Sequence, residues 1–244
     1  MLNTSPAMRR YFPIILWYLL IILDGCIHQY RALELPQLCN EEILPDAIHI
    51  RAKMRLELQK EKVSLIENIS IKNGKIRIDV LGVFDNTLIS IIIKDNLINV
   101  IDYSNQIIYR FSSKESFAKQ FNINLPVFNL PFLLTLSPKN ISGLISENNN
   151  TYSLNNGEKI TVIQDKGTCN TKQIYIDSPE SGRTIATYSE FLRIDGHPFF
   201  HNLRIINEKQ DIRANIKVLK VHFKEIADSI FDIEDIKGFN YVNR

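Results

Sequence analysis

The sequence predicts a mainly β protein with short helices: about eleven antiparallel strands in one sheet that must curl or close. Three observations carry this. From Ile48 to Gln59, apolar residues alternate one for one with polar ones. Turn pairs of the Asn-Gly and Asp-Gly type stand between such runs. Helix signals are confined to the middle of the chain.

Element by element, Ile48, Ile50, Ala52, Met54, Leu56 and Leu58 alternate with His49, Arg51, Lys53, Arg55, Glu57 and Gln59, which describes a long strand with one wet face. The period of two continues through Ile69 and Ile71, through Ile76, Ile78 and Val80, and through Ile89, Ile91 and Ile93, with Asn73-Gly74 as a two-residue hairpin turn. Leu97 to Tyr103 and Gln106 to Phe111 form another pair, joined by a tight turn at Ser104-Asn105. Ser112 and Glu115 make a capping box, Phe117 and Phe121 share a helical stripe, and Asn129 to Leu136 has Pro131 near a helix start and Pro138 just past its end. Two short helices are expected there, rich in Leu130, Phe132, Leu133 and Leu136. They either plug the open end of the curved sheet as core or form a lid over an apolar cavity. Strands resume at Ile160 to Ile163, Gln173 to Ile176 and Thr184 to Ile194, and Asp195-Gly196 turns into Phe199 to Ile206. In the last long strand Ile212, Ala214, Ile216 and Val218 keep one phase and Leu219, Val221 and Phe223 the other, which reads as a β-bulge. So many strands must curl or close rather than stay flat.

The chain has 244 residues, 29 Lys and Arg against 27 Asp and Glu, and a formal net charge of +2, which argues against a nucleic-acid binder. Hydrophobic residues at 45% and mean hydropathy of -0.09 exclude wholesale disorder and a polytopic membrane protein. Residues 1–25 read separately: Arg9 and Arg10 precede an apolar run from Tyr11 to Leu23, too short for a bilayer span of about 20 residues and shaped like a signal-peptide core. The alternative is an uncleaved anchor. Residues 26–46, with Pro36 and Pro45, suit a tether, and 47–244 form the folded domain. Of the three cysteines, Cys39 and Cys169 are either a disulfide closing a long loop or two separate buried thiols.

Catalytic and metal signatures are missing: there is no nucleophile elbow, zinc-protease helix, phosphate loop or dinucleotide fingerprint, so neither an enzyme, a cofactor nor a metal is expected. His197 and His201 are four apart, but they follow a hairpin turn. On a strand that spacing separates them by about 13 Å, too far to share a metal. The acidic residues fall on predicted wet faces, and Asp232, Glu234 and Asp235 read as solvated charge.

Several segments together resemble LolB and the wider LolA/LolB fold. Leu23-Asp24-Gly25-Cys26 resembles a lipobox. The long first strand, Lys75 to Gly82 running into a short loop, the paired strands over Leu97 to Tyr109, the helix pair over Ser112 to Leu136, the hairpin Ile194 to Pro198 with Leu203-Arg204-Ile205, and Asp228 to Ile233 are similar in order. The resemblance implies a curved antiparallel half-barrel of about eleven strands with a helical lid, whose concave apolar face, lined and capped by Phe117, Phe121, Leu130, Phe132, Leu133 and Leu136, holds acyl chains of lipoproteins. It implies a lipid anchor on Cys26, a bacterial outer-membrane location facing the periplasm, a monomer, and a periplasmic LolA-type carrier as partner. It further implies a loop entering the target membrane, matched here by Leu81, Val83 and Phe84. Either Leu81 or the Val83-Phe84 pair forms its tip, and Phe84 folded back onto the sheet is the alternative.

Overall fold

A computed structural model describes residues 47–58, 61–94, 97–112, 130–136, 145–148, 150–154, 157–165, 167–179, 182–209, 211–233 and 238–243, with Pro45, Ser116 and Ile236 as single positions. Fourteen strands form one sheet: β1 Ala47–Leu58, β2 Glu61–Lys72, β3 Lys75–Leu81, β4 Thr87–Lys94, β5 Leu97–Asp102, β6 Ile107–Phe111, β7 Ile145–Asn148, β8 Thr151–Ser153, β9 Lys159–Gln164, β10 Thr171–Ser178, β11 Gly182–Ile194, β12 His197–Asn207, β13 Ile212–His222 and β14 Asn240–Asn243. The order is β14-β6-β5-β4-β3-β2-β1-β13-β12-β11-β10-β9-β8-β7, so the sheet does not close. The eleven expected strands are β1 to β6 and β9 to β13. The three additional ones, β7, β8 and β14, have three or four residues each. Alternation over so few residues gives no readable period.

The order explains the architecture. Strands β1 to β6 step outward to one side, β7 to β13 step inward from the far edge, and β13 pairs with β1 at the centre. The segment from Ser112 to Ile145 therefore has to cross from β6 to the opposite edge. The short helix α1, Leu130–Thr135, lies on that crossing.

Pairing aligns one apolar phase along the sheet: Ile174, Ala186, Ile205, Ala214, Leu56 and Val63 are consecutive partners from β10 to β2. The inner face so formed, together with Phe132, Leu133 and Leu134 of α1, makes the main hydrophobic cluster. Asn73 and Gly74, at φ of 49° and 74°, and Asp195 and Gly196, at 50° and 86°, supply the positive φ that a two-residue hairpin of right-handed twist requires. The expected bulge is present: the β1/β13 register shifts where Arg51 faces Lys220 and Ala52 faces Val218, leaving Leu219 as the extra residue.

Behind β13 the chain crosses the outer face as a strap. Lys72 donates to the Ile226 carbonyl at 2.7 Å, Arg77 to the Ile230 carbonyl at 3.0 Å, and Lys94 ion-pairs with Asp232. Phe239 packs edge-on against Tyr103 at 5.9 Å before β14 pairs in parallel with β6. Ile226 and Phe231 thereby bury the outer apolar residues Ile92, Ile101 and Ile108. Asp232 is thus a strap contact rather than only solvated charge, and among the described residues β14 is the one parallel strand in a sheet expected to be antiparallel throughout. Its pairing covers an edge otherwise open to association.

Candidate functional site: the inner face, its helix and the β3–β4 loop

The interior is apolar because β1 to β5 and β9 to β13 all turn their apolar phase inward. Helix α1 lies against this face. Residues of an α-helix are 100° apart, so burial of three in succession, Phe132, Leu133 and Leu134, encloses the helix around most of its circumference. Pro131 sits in its first turn, and Leu136, at φ of 56°, ends it while its amide still donates to the Phe132 carbonyl at 2.6 Å. The Tyr188 hydroxyl donates to the Leu133 carbonyl at 3.0 Å, tying α1 to β11. Burial holds the Tyr188 phenol neutral, well above its ordinary range. Phe200 supports its ring edge-on at 5.1 Å.

Half-buried apolar side chains border this face, among them Val63, Leu65, Leu136, Phe191 and Phe223. Glu190, at φ of 57°, turns β11 so that Phe191 rather than Leu192 packs inward. Phe117 and Phe121 lie outside the described residues, as do the side chain of Leu130 and most of the first expected helix.

Polar side chains are buried inward as well, among them Glu67, Thr184 and Asn207. Glu67, paired between Ala52 and Val80, is fully buried, which corrects the expectation that acidic residues occupy wet faces. The signal was in the sequence: Glu67 keeps phase with Leu65 and Ile69. Asn207 donates to Thr184 at 2.8 Å inside the sheet.

At the β3–β4 connection, Leu81 is buried at 8% exposure, whereas Val83 and Phe84 are 76% and 98% exposed. Leu81 is therefore not the tip. Phe84 does not fold back. The loop is rigidly built: the Gly82 amide donates to the Asn86 carbonyl at 2.8 Å, Gly82 packs so closely on Leu88 that a Cβ would lie 3.0 Å from it, and Asp85 accepts from Arg51 of β1 at 2.6 Å. Phe84 and Asp85 are left-handed, at φ of 69° and 60°. That conformation costs non-glycine residues roughly 1–2 kcal/mol each. A fully exposed Phe in a strained backbone is a feature that folding stability does not account for.

His197 lies on β12 as expected, with its ring edge-on to Phe223 at 5.3 Å. No group of metal-ligating side chains occurs among the described residues, and none of their helices is long and apolar enough to cross a membrane. Cys169 is disulfide-bonded, and its turn is held by Asp165, which accepts from the Gly167 and Thr168 amides at 3.0 Å. Cys26 and Cys39 lie outside the described residues, as does the whole segment 1–44.

On the outer face, His49 is hydrogen-bonded to Ser70 at 2.7 Å and stands opposite His222. Burial, then the charges of Lys224 and His222, hold its pKa below 6.5. The unfolded chain therefore takes up this proton at higher pH than the folded one. The linked stability is complete above pH 6.5 and is lost as the pH falls through the lowered folded value. His49→Gln is expected to flatten the fall in stability on the acid side of 6.5. Urea unfolding at neutral and acidic pH checks this, and an unchanged slope would remove His49 from the acid response.

No family model and no curated protein matches the chain. Solved structures do. A LolA superfamily protein from Nitrosomonas europaea aligns at 13% identity with a TM-score of 0.54, over 79% of this chain and 93% of its own. A domain described as an outer membrane lipoprotein-sorting protein, from Vibrio parahaemolyticus, aligns at 12% identity and 0.53, over 79% and 91%. A DUF1329 family protein from Desulfovibrio piger aligns at 11% and 0.57, over 77% and 90%. At such identities the likeness is one of fold.

Proposed function

We propose that the protein is a membrane-anchored lipoprotein that binds acyl chains on its inner face, accepts lipoproteins from a LolA-type carrier and inserts them into the outer membrane. Residues 1–25 are its signal peptide, Cys26 its lipidated residue, 26–46 its tether and 47–244 its binding domain. Pairing of Cys39 with the disulfide-bonded Cys169 leaves Cys26 for the anchor. The neighbours of lipoprotein-sorting type support a carrier role, and the observation that carries the reading is the strained, exposed Val83-Phe84 loop beside a half-barrel with an apolar inner face. In this reading Phe117, Phe121, Leu130, Phe132, Leu133 and Leu136 yield to the acyl chains. Transfer needs no catalyst. Each CH₂ moved from water to an apolar site contributes about 0.8 kcal/mol, so small differences in burial set the direction of transfer.

A second reading has support in the near-complete burial of Phe132, Leu133 and Leu134: a structural or sensory envelope lipoprotein whose half-barrel is filled by its own helix and serves as a protein-binding surface. Mass spectrometry of protein lacking residues 1–26 separates the two. Stoichiometric acyl lipid carried through purification is expected for the first, and lipid-free protein that takes up no added lipid would leave the second.

A further inference from the structure

The chain is nearly neutral, but its outer face is not. On β1, β13 and β12 the outward phase presents Lys53, Arg55, Arg204, Arg213, Lys217 and Lys220. Lys53 stands directly opposite Lys217, and Arg51 opposite Lys220. Like charges facing each other across a strand pair are destabilising. Elsewhere the fold neutralises its cations: Lys72 and Lys75 pair with Asp228, Lys94 with Asp232, Lys159 with Glu147, Lys172 with Asp165 and Arg183 with Asp177. Among the described residues, the Lys and Arg side chains with no ion pair, hydrogen bond or ring contact are the six on this face and Lys224 just beyond β13. Their unpaired state is therefore local.

Apolar groups protrude at the same place. Leu219, extruded by the bulge beside Lys220, is exposed. Arg51 of this face holds Asp85, the residue next to Phe84, so the loop tip stands at its margin. Cations surrounding protruding apolar side chains are the combination that suits a lipid surface: the charges are drawn to anionic headgroups and the apolar groups enter the interface. An acidic protein or a nucleic acid would answer the charge but not the exposed Phe84 and Leu219.

We propose that the outer face of β1, β13 and β12 is a docking surface for anionic phospholipid headgroups, which relieve its internal repulsion and set the Val83-Phe84 loop against the bilayer. The inference rests on the reading above for the presence of a bilayer. Its test contains no cargo and so stands or fails apart from the lipid-uptake experiment.

The test is co-flotation of the full chain with vesicles of phosphatidylcholine alone or with phosphatidylglycerol, at limiting lipid. The N-terminal segment is common to every arm. Wild type is expected to prefer the anionic vesicles by about tenfold or more at low ionic strength and to lose the preference at high salt. The variant Lys53→Gln, Arg55→Gln, Lys217→Gln, Lys220→Gln should lose it. A variant with the same net charge, Lys159→Gln, Lys172→Gln, Arg183→Gln, Arg193→Gln, should keep it. The double variant Lys217→Gln, Lys220→Gln, which perturbs the sheet less, should fall between. Equal partition of wild type to both vesicles overturns the proposal. So does an undiminished preference in the outer-face variant, or an equal loss in the control, which would mean that net charge alone acts. Binding of a DNA duplex or a polyglutamate peptide without any vesicle preference overturns it in favour of that partner class.

Discussion

Leu133→Asp is expected to abolish the native fold. Leu133 is fully buried in α1, and its carbonyl accepts from Tyr188. The substitution removes a buried aliphatic side chain, worth roughly 2–5 kcal/mol in comparable cores, and adds the desolvation of a carboxylate in an apolar enclosure. The sum approaches the whole stability of a domain, about 5–15 kcal/mol. Leu133→Ala carries only the first term and should remain folded with a lower urea midpoint. Circular dichroism and urea unfolding of both variants check this. A Leu133→Asp protein as stable as wild type would mean that α1 swings clear of the sheet in solution, making it a mobile cover instead of core.

Phe84→Glu, by contrast, should leave folding intact and reduce delivery of a bound lipoprotein into liposomes by about tenfold or more, because a charge at the tip opposes entry into the bilayer interface. Phe84→Gly separates strain from function. Relief of the left-handed backbone should leave stability unchanged or raise it by up to about 1 kcal/mol, yet delivery should still fall because the apolar tip is gone. Phe84→Leu should deliver almost as wild type does. Delivery is read by liposome flotation of the transferred lipoprotein after mixing with the loaded protein. Unimpaired transfer by Phe84→Glu would take the loop out of the mechanism.

The local parts of this protein were legible in its residue pattern. Alternation from Ile48 to Leu58 fixed which face of β1 is buried, because a strand with one wet side must repeat every two residues. Asn73-Gly74 and Asp195-Gly196 placed two hairpins, since few other residues adopt positive φ in succession. The change of phase between Val218 and Leu219 revealed the bulge. The same alternation, followed through Glu67, contradicts the expectation of wet-face acids, and the sheet buries this carboxylate.

What depends on partners far apart in the chain emerged only in the assembled sheet. The pairing of β1 with β13 joins residues more than 150 positions apart, and no local period encodes it. From it follow the route of Ser112 to Ile145 across the sheet, the enclosure of α1 and the alignment of Lys53 with Lys217. The exposure of Phe84 was likewise beyond a local reading. A Phe beside a turn folds inward or stands out according to what lies beside it, and here Gly82 against Leu88 and Asp85 on Arg51 hold it outward. Backbone periodicity is a property of neighbours in sequence, whereas burial, charge opposition and the direction of a loop tip belong to neighbours in space.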